Sequence, residues 1–219
     1  MASQGFPIDV GLVGRLDCGT SGIILFSDDQ VLAKGIRDPV DDDSDLILSP
    51  YKQKIYDVVL LSSRKYTSIC DLDVLLIELE LSSPYTFNRG GTEYHTNSYT
   101  QVNVTSIYQE KEKYGFGRPD LGWVIGVKVT LNEGKHHQIR RMASLNGYKV
   151  ISLTRICIAN ILNIDSIPNP GDCRWLTEGE IEEIYRELRL VKVPASSSET
   201  TDAAVIDDDD IECEESTCL

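Results

Sequence analysis

Two short stretches of this 219-residue chain concentrate the residue types that carry proton-transfer or covalent chemistry. The first is Gly14-Arg15-Leu16-Asp17-Cys18-Gly19-Thr20-Ser21-Gly22, in which a single carboxylate stands in a glycine-flanked loop ahead of an apolar run. A cation beside a loop carboxylate keeps it ionised, and a fixed, ionised carboxylate can work as a base or a nucleophile. The same pattern also describes an ordinary Asx turn or cap. The second stretch is Glu133-Gly134-Lys135-His136-His137-Gln138-Ile139-Arg140-Arg141-Met142, where a turn delivers the chain into a helix whose first residues bear cations and ring nitrogens. Helix N-termini attract anions, and arginine grips phosphate or carboxylate through two N–H groups at once. A solvated basic helix face has the same composition. His136 and His137 are adjacent, so on a helix they point about 100° apart. No Cys or His at ligand spacing accompanies them, which speaks against a zinc site. The sequence has neither a Gly-rich phosphate loop with its Lys nor a G-x-S-x-G elbow.

The elements that must position these stretches are read from periodicity. Residues 22–26, 54–61, 74–81 and 101–108 read as strands through their β-branched, aromatic and alternating apolar residues. Residues 122–131 give the clearest strand, ended by the turn-forming Asn132-Glu133-Gly134. Residues 149–153 and 156–161 return to strand. Helical spacing is found at 28–37 and at 136–146, where Gly147 supplies the stop. A last helix at 177–189 opens on the capping box Thr177-Glu178-Gly179-Glu180. Strands outnumber helices without regular alternation. The expected class is α+β, a mainly antiparallel mixed sheet with a few flanking helices. Residues 41–49 and 86–98, polar and rich in Asp or Gly, read as surface insertions.

Composition bounds the rest. Hydrophobic residues make up 41% of the chain, enough for a folded core and too many for wholesale disorder. The longest apolar runs fall far short of the roughly 20 residues of a membrane span, and residues 1–10 show no secretory or transit signal. Six cysteines without a C-x-x-C pair point to free thiols in a reducing compartment, hence an intracellular, cytoplasmic setting. The net charge of −14 is unevenly spread. Residues 198–219 hold nine acids and no base, and Asp41, Asp42, Asp43 and Asp45 form a second acidic run. From Lys128 to Arg155 there are six bases against one acid, Glu133. A basic stretch inside a nearly neutral body is compatible with RNA. The tail after Val193 reads as disordered.

Taken together and in order, G-R-L-D-x-x-T-x-G and E-G-K-x-x-Q-I-R-R-M resemble the two long motifs of the RsuA-type pseudouridine synthases, which act on ribosomal RNA. Lys54-Ile55-Tyr56 is similar to that family's K-x-Y strand, and Leu153-Thr154-Arg155-Ile156 to its L-x-R-T/I stretch. Ile167-Pro168 and Gly171-Asp172-Cys173-Arg174-Trp175-Leu176-Thr177 are similar to its closing segment. The resemblance covers roughly residues 13–189 and implies a pseudouridine synthase catalytic domain over 1–193, with 194–219 as the acidic tail. Family members carry an S4-type RNA-binding domain and an N-K-P strand ahead of G-R-L-D, and neither is present in the twelve residues before Val13.

The resemblance further implies that Asp17 is the catalytic carboxylate, that Arg140 pairs with it and that Tyr56 stacks on the extruded uracil. It implies that Leu153 walls the pocket, that Lys54, Lys135, Arg141 and Arg155 take phosphates, and that Arg15 and Gln138 bind substrate. No metal and no nucleotide cofactor is implied. The expected partner is RNA, ribosomal RNA first, with the protein acting as a monomer and away from membranes. The alternative expectation is a non-catalytic RNA-binding or ribosome-assembly protein that keeps the synthase fold.

Overall fold

The computed structural model describes residues 10–37, 53–62, 70–89, 91–96, 101–109, 123–167, 169–190 and 203–207. The chain divides into two compact units, residues Met1–Gln53 with Arg155–Leu219, and Lys54–Thr154. Each unit has its own hydrophobic core.

In the first unit, β1 (Gly11–Leu12) pairs antiparallel with β2 (Ser21–Ser27), placing Leu12 opposite Phe26. The run Ser-Gly-Ile-Ile-Leu-Phe-Ser of β2 is buried along almost its whole length. Helix α1 (Gln30–Arg37) starts at Asp29, whose Oδ1 accepts from the amides of Val31 and Leu32 at 2.9 and 3.1 Å. That cap satisfies N–H groups that a helix start otherwise leaves bare. Two short strands, β9 (Leu162–Asn163) and β10 (Cys173–Trp175), and helix α4 (Glu178–Glu187) follow in the same unit. The Tyr185 hydroxyl of α4 donates to Asp29 Oδ2, tying the two helices together. Ile23 and Leu25 of β2, Leu32 and Ile36 of α1 and Ile184 of α4 share the core.

The tail expectation meets the described residues only at Ala203–Asp207, which form strand β11 between β2 and β10. For these five residues disorder is corrected to a strand. Ala-Ala-Val-Ile is an apolar, β-prone island in an acidic run, and β2 offers it a backbone edge to pair with. Residues 194–202 and 208–219, like the acidic run 41–49, lie outside the described residues.

In the second unit, β3 (Lys54–Ser62), β6 (Gln101–Gln109) and β7 (Trp123–Leu131) form an antiparallel set with β7 in the middle. The register sets Tyr56 opposite Val129 and Lys54 opposite Leu131. Helix α3 (Gln138–Leu145) follows β7, and β8 (Tyr148–Ile158) follows α3, the chain leaving this unit after Thr154. Val58, Leu60, Ile125, Val127 and Val129 of the strands pack with Ile139, Met142 and Ala143 of α3.

Residues 71–82, read largely as a strand, form helix α2 (Asp71–Ser82) instead. The E-L-E-L alternation imitates a half-buried strand, but leucine and glutamate are strong helix formers. The Cys70 amide bonds Asp73 Oδ2 at 2.9 Å to open the helix, and Ile77 and Leu81, one turn apart, are its buried pair. The stretch 86–98 is more than an interruption: β4 (Thr86–Arg89) and β5 (Thr92–His95) form an antiparallel hairpin. The expected α+β class holds. Among the described residues no helix is long and apolar enough to cross a membrane.

Candidate functional site

The loop that carries Asp17 is shaped by glycines. After β1, the Val13 amide bonds the Leu25 carbonyl at 2.8 Å, and Gly14 turns the chain with φ +82°. The Thr20 amide then donates to the Asp17 carbonyl at 2.9 Å, with Gly19 at φ +70°. A positive φ at the third position of a four-residue turn suits glycine and marks a type II turn. Asp17 is half-buried in this turn and Arg15 is exposed.

Behind the turn, Gly22 lies so close to the next strand that a Cβ there would sit 2.2 Å from the Arg155 carbonyl oxygen. Arg155 itself is only 2% exposed. Its Nε donates to the Ile23 carbonyl at 2.8 Å, and its Nη1 makes a long 3.5 Å bond to the Arg15 carbonyl. The expected phosphate role of Arg155 is therefore corrected: a guanidinium committed to backbone carbonyls and shut off from solvent holds β2 and the Asp17 loop in register.

In the second unit, the segment from Glu133 to Met142 makes a turn and then α3. His137 occupies the position before the helix with φ 54°, ψ 30°, a left-handed conformation, and gives no side-chain cap. The first turn is held by Gln138 instead. Its Oε1 accepts from the Lys135 amide at 3.1 Å and its Nε2 donates to Glu133 Oε1 at 2.7 Å. Lys135 Nζ lies 3.0 Å from the other Glu133 oxygen and donates to the His95 carbonyl. Gln138 is 4% exposed with both ends of its amide engaged, so the expected substrate contact is corrected to an internal brace. The charge of Lys135 is paired with that of Glu133, while its side chain stays partly exposed.

Arg140 is the third residue of α3 and is half-buried. Arg141 reaches the His136 ring nitrogen at 3.3 Å, and its guanidinium lies 4.0 Å from the centre of the Phe87 ring. The His136 and His137 rings stack at 3.9 Å with 12° between their planes. Leu153, 5% exposed on β8, belongs to the second unit's core, and Tyr56, half-buried on β3, packs against that core. Lys54 is half-buried where β3 begins.

Asp17, Arg15 and Arg155 thus belong to the first unit, and Tyr56, Lys54, Lys135, Gln138, Arg140, Arg141 and Leu153 to the second. Sequence reading missed Tyr85. Its hydroxyl donates to the Gln138 carbonyl at 2.6 Å, and burial, partly offset by Arg141 and reinforced by Glu133, pushes its pKa up to about 12. Nothing in its local sequence marks it, because its partner lies 53 residues away.

Curated proteins with similar sequences carry a consistent name. Ribosomal small subunit pseudouridine synthase A of Vibrio cholerae is 27% identical over 179 residues, 81% of this chain and 60% of that protein. The Bacillus subtilis protein called uncharacterized RNA pseudouridine synthase YtzG is 29% identical over 184 residues, 83% of this chain and 59% of its own. Ribosomal small subunit pseudouridine synthase A of Escherichia coli K12 is 26% identical over 171 residues, 78% of this chain and 57% of that one. The chain spans about three fifths of the length of these relatives. No family model matches it. A solved structure described as a pseudouridylate synthase superposes with a TM-score of 0.50 at 23% identity, covering 82% of this chain and 63% of the other, and shows the same fold. The motif resemblance to the RsuA type is thus matched by named relatives and by fold.

Proposed function

We propose that this chain, similar in sequence to RsuA-type pseudouridine synthases and folded like a pseudouridylate synthase, converts uridine to pseudouridine in structured RNA, ribosomal RNA first. The observation that carries this reading is the ordered pair of motifs, one holding Asp17 and one Arg140, within a match to relatives named RNA pseudouridine synthases.

The reaction breaks the bond from C1′ to N1 of uracil, turns the base, and forms a bond from C1′ to C5. The C5 proton leaves and N1 gains one, so the step conserves atoms and electrons and calls for no co-substrate. Asp17 is the carboxylate that acts on the nucleotide. A half-buried loop carboxylate reacts best when a cation keeps it ionised and aimed, the role that the motif resemblance gives to Arg140. Tyr56 offers a ring on which an extruded uracil stacks, and Leu153 the apolar wall beside it. Lys54, Arg15 and Arg141 take backbone phosphates, making RNA affinity fall as salt rises.

The test uses RNA carrying tritium at uracil C5, because only loss of the C5 hydrogen releases the label to water. Wild-type protein should release tritium from ribosomal RNA fragments. Asp17→Asn should release it about 10³-fold more slowly or not at all, with RNA affinity kept within about threefold, the electrostatic anchoring being elsewhere. Arg140→Ala should cost about 10²-fold. Release by Asp17→Asn at the wild-type rate would remove Asp17 from the catalytic role, and none from either protein would leave the non-catalytic RNA-binding reading in its place.

A further inference from the structure

We propose that the β4–β5 hairpin is the positioning element for the start of α3, with Tyr85 as a positioning residue for Arg140. The inference deepens the functional reading above, and its catalytic consequence rests on that reading.

The start of α3 needs outside support. His137 sits in a left-handed conformation that residues with a Cβ seldom adopt, and such conformations persist only where the surroundings over-determine them. It also gives the helix no side-chain cap. Glu133 and Gln138 brace the turn from within the segment. Further support comes from the hairpin and its flanks. The Tyr85 hydroxyl donates to the Gln138 carbonyl at 2.6 Å, two residues from Arg140. The His95 carbonyl accepts from Lys135 Nζ, and the Phe87 ring lies under the Arg141 guanidinium at 4.0 Å.

Tyr85 is itself clamped. Its amide donates to Thr96 Oγ1 at 2.8 Å, while its carbonyl accepts from the Thr96 amide at 2.9 Å and hydroxyl at 3.1 Å. Thr96 is 7% exposed. Hydrogen bonds thus run from the base of the hairpin to the first residue of α3. A reacting group displaced by even an ångström loses much of its rate. The hairpin therefore governs turnover more than RNA affinity.

Tyr85→Phe keeps the ring and removes the bond; Thr96→Val removes the clamp behind it. In Tyr85→Phe, the amides of Gln138 and Arg141 should exchange with solvent about tenfold faster, with those of Ile125 and Val127 unchanged. The kcat for tritium release should fall about tenfold, and KM for RNA should stay within about twofold. The double variant should lose little more than Tyr85→Phe alone, because both act through one contact. Unchanged exchange at Gln138 and Arg141, or unchanged kcat in an active protein, overturns the inference. Faster exchange in a protein whose wild type releases no tritium supports the clasp and sinks the functional reading separately.

Discussion

Gly22 admits no side chain. With φ at +114° and a Cβ that would lie 2.2 Å from the Arg155 carbonyl, alanine there meets both backbone strain and a collision with main chain that cannot swing aside. Gly22→Ala should cost about 3 kcal/mol or more, seen as a large drop in the denaturation midpoint; a midpoint unchanged from wild type would refute the close approach. At this scale the sequence is most legible where the motif is contiguous, as in the Asp17 loop and the Glu133-to-Met142 turn. It is least legible where a polar group's partners are distant. Arg155 reads as a phosphate ligand because its charge is visible and its burial is not; its acceptors, Ile23 and Arg15, lie 132 and 140 residues away. Gln138 is misread for a related reason: its local partner Glu133 reads as one acid among bases, not as the group that engages the Gln138 amide.

Whether an element can be read from the sequence depends on whether its ends carry their own signals. The capping box of α4 is plain in the sequence and present in the fold: the Glu180 amide donates to Thr177 Oγ1 at 3.2 Å, and the Thr177 amide to Glu180 Oε2 at 2.8 Å. Arg174 joins it, its Nη2 lying 2.7 Å from Glu180 Oε1. Hydrogen bonding to Arg174 is the main cause that holds the Glu180 carboxyl down at about 2, against an ordinary value of 4.5. A depressed carboxyl stabilises the fold fully above its unfolded pKa and loses that contribution as pH falls through the folded one. Wild-type stability should therefore decline between about pH 4.5 and 2, and Glu180→Gln should flatten that part of the profile in acid-denaturation curves. An identical slope in both proteins would show the pair to be inert. By contrast α2 has a run of leucine and glutamate that fits either structure, and burial of Ile77 and Leu81 one turn apart decides it. The β4–β5 hairpin reads as a mere insertion because its importance lies in Tyr85 meeting Gln138 across 53 residues.

The α+β class is legible across the whole molecule because strands and helices alternate irregularly, but the division into two cores is not. The first unit draws its core from residues on either side of a stretch, Lys54–Thr154, that builds the other, a long-range closure that local periodicity does not encode. Charge acts on the molecule as a whole. Deleting residues 208–219 removes six acids and moves the net charge from −14 to −8. It leaves β11 in place. RNA affinity should rise several-fold at low salt and converge with wild type near 1 M salt, where screening extends only about 3 Å. A titration showing equal affinity at low salt would contradict this long-range repulsion. The most direct test of the account as a whole is position-resolved mapping of pseudouridine in ribosomal RNA incubated with the full chain or with its Asp17→Asn form. The account predicts new pseudouridine at one or a few defined positions with the wild type and none with the variant. An identical map for the two proteins would contradict it.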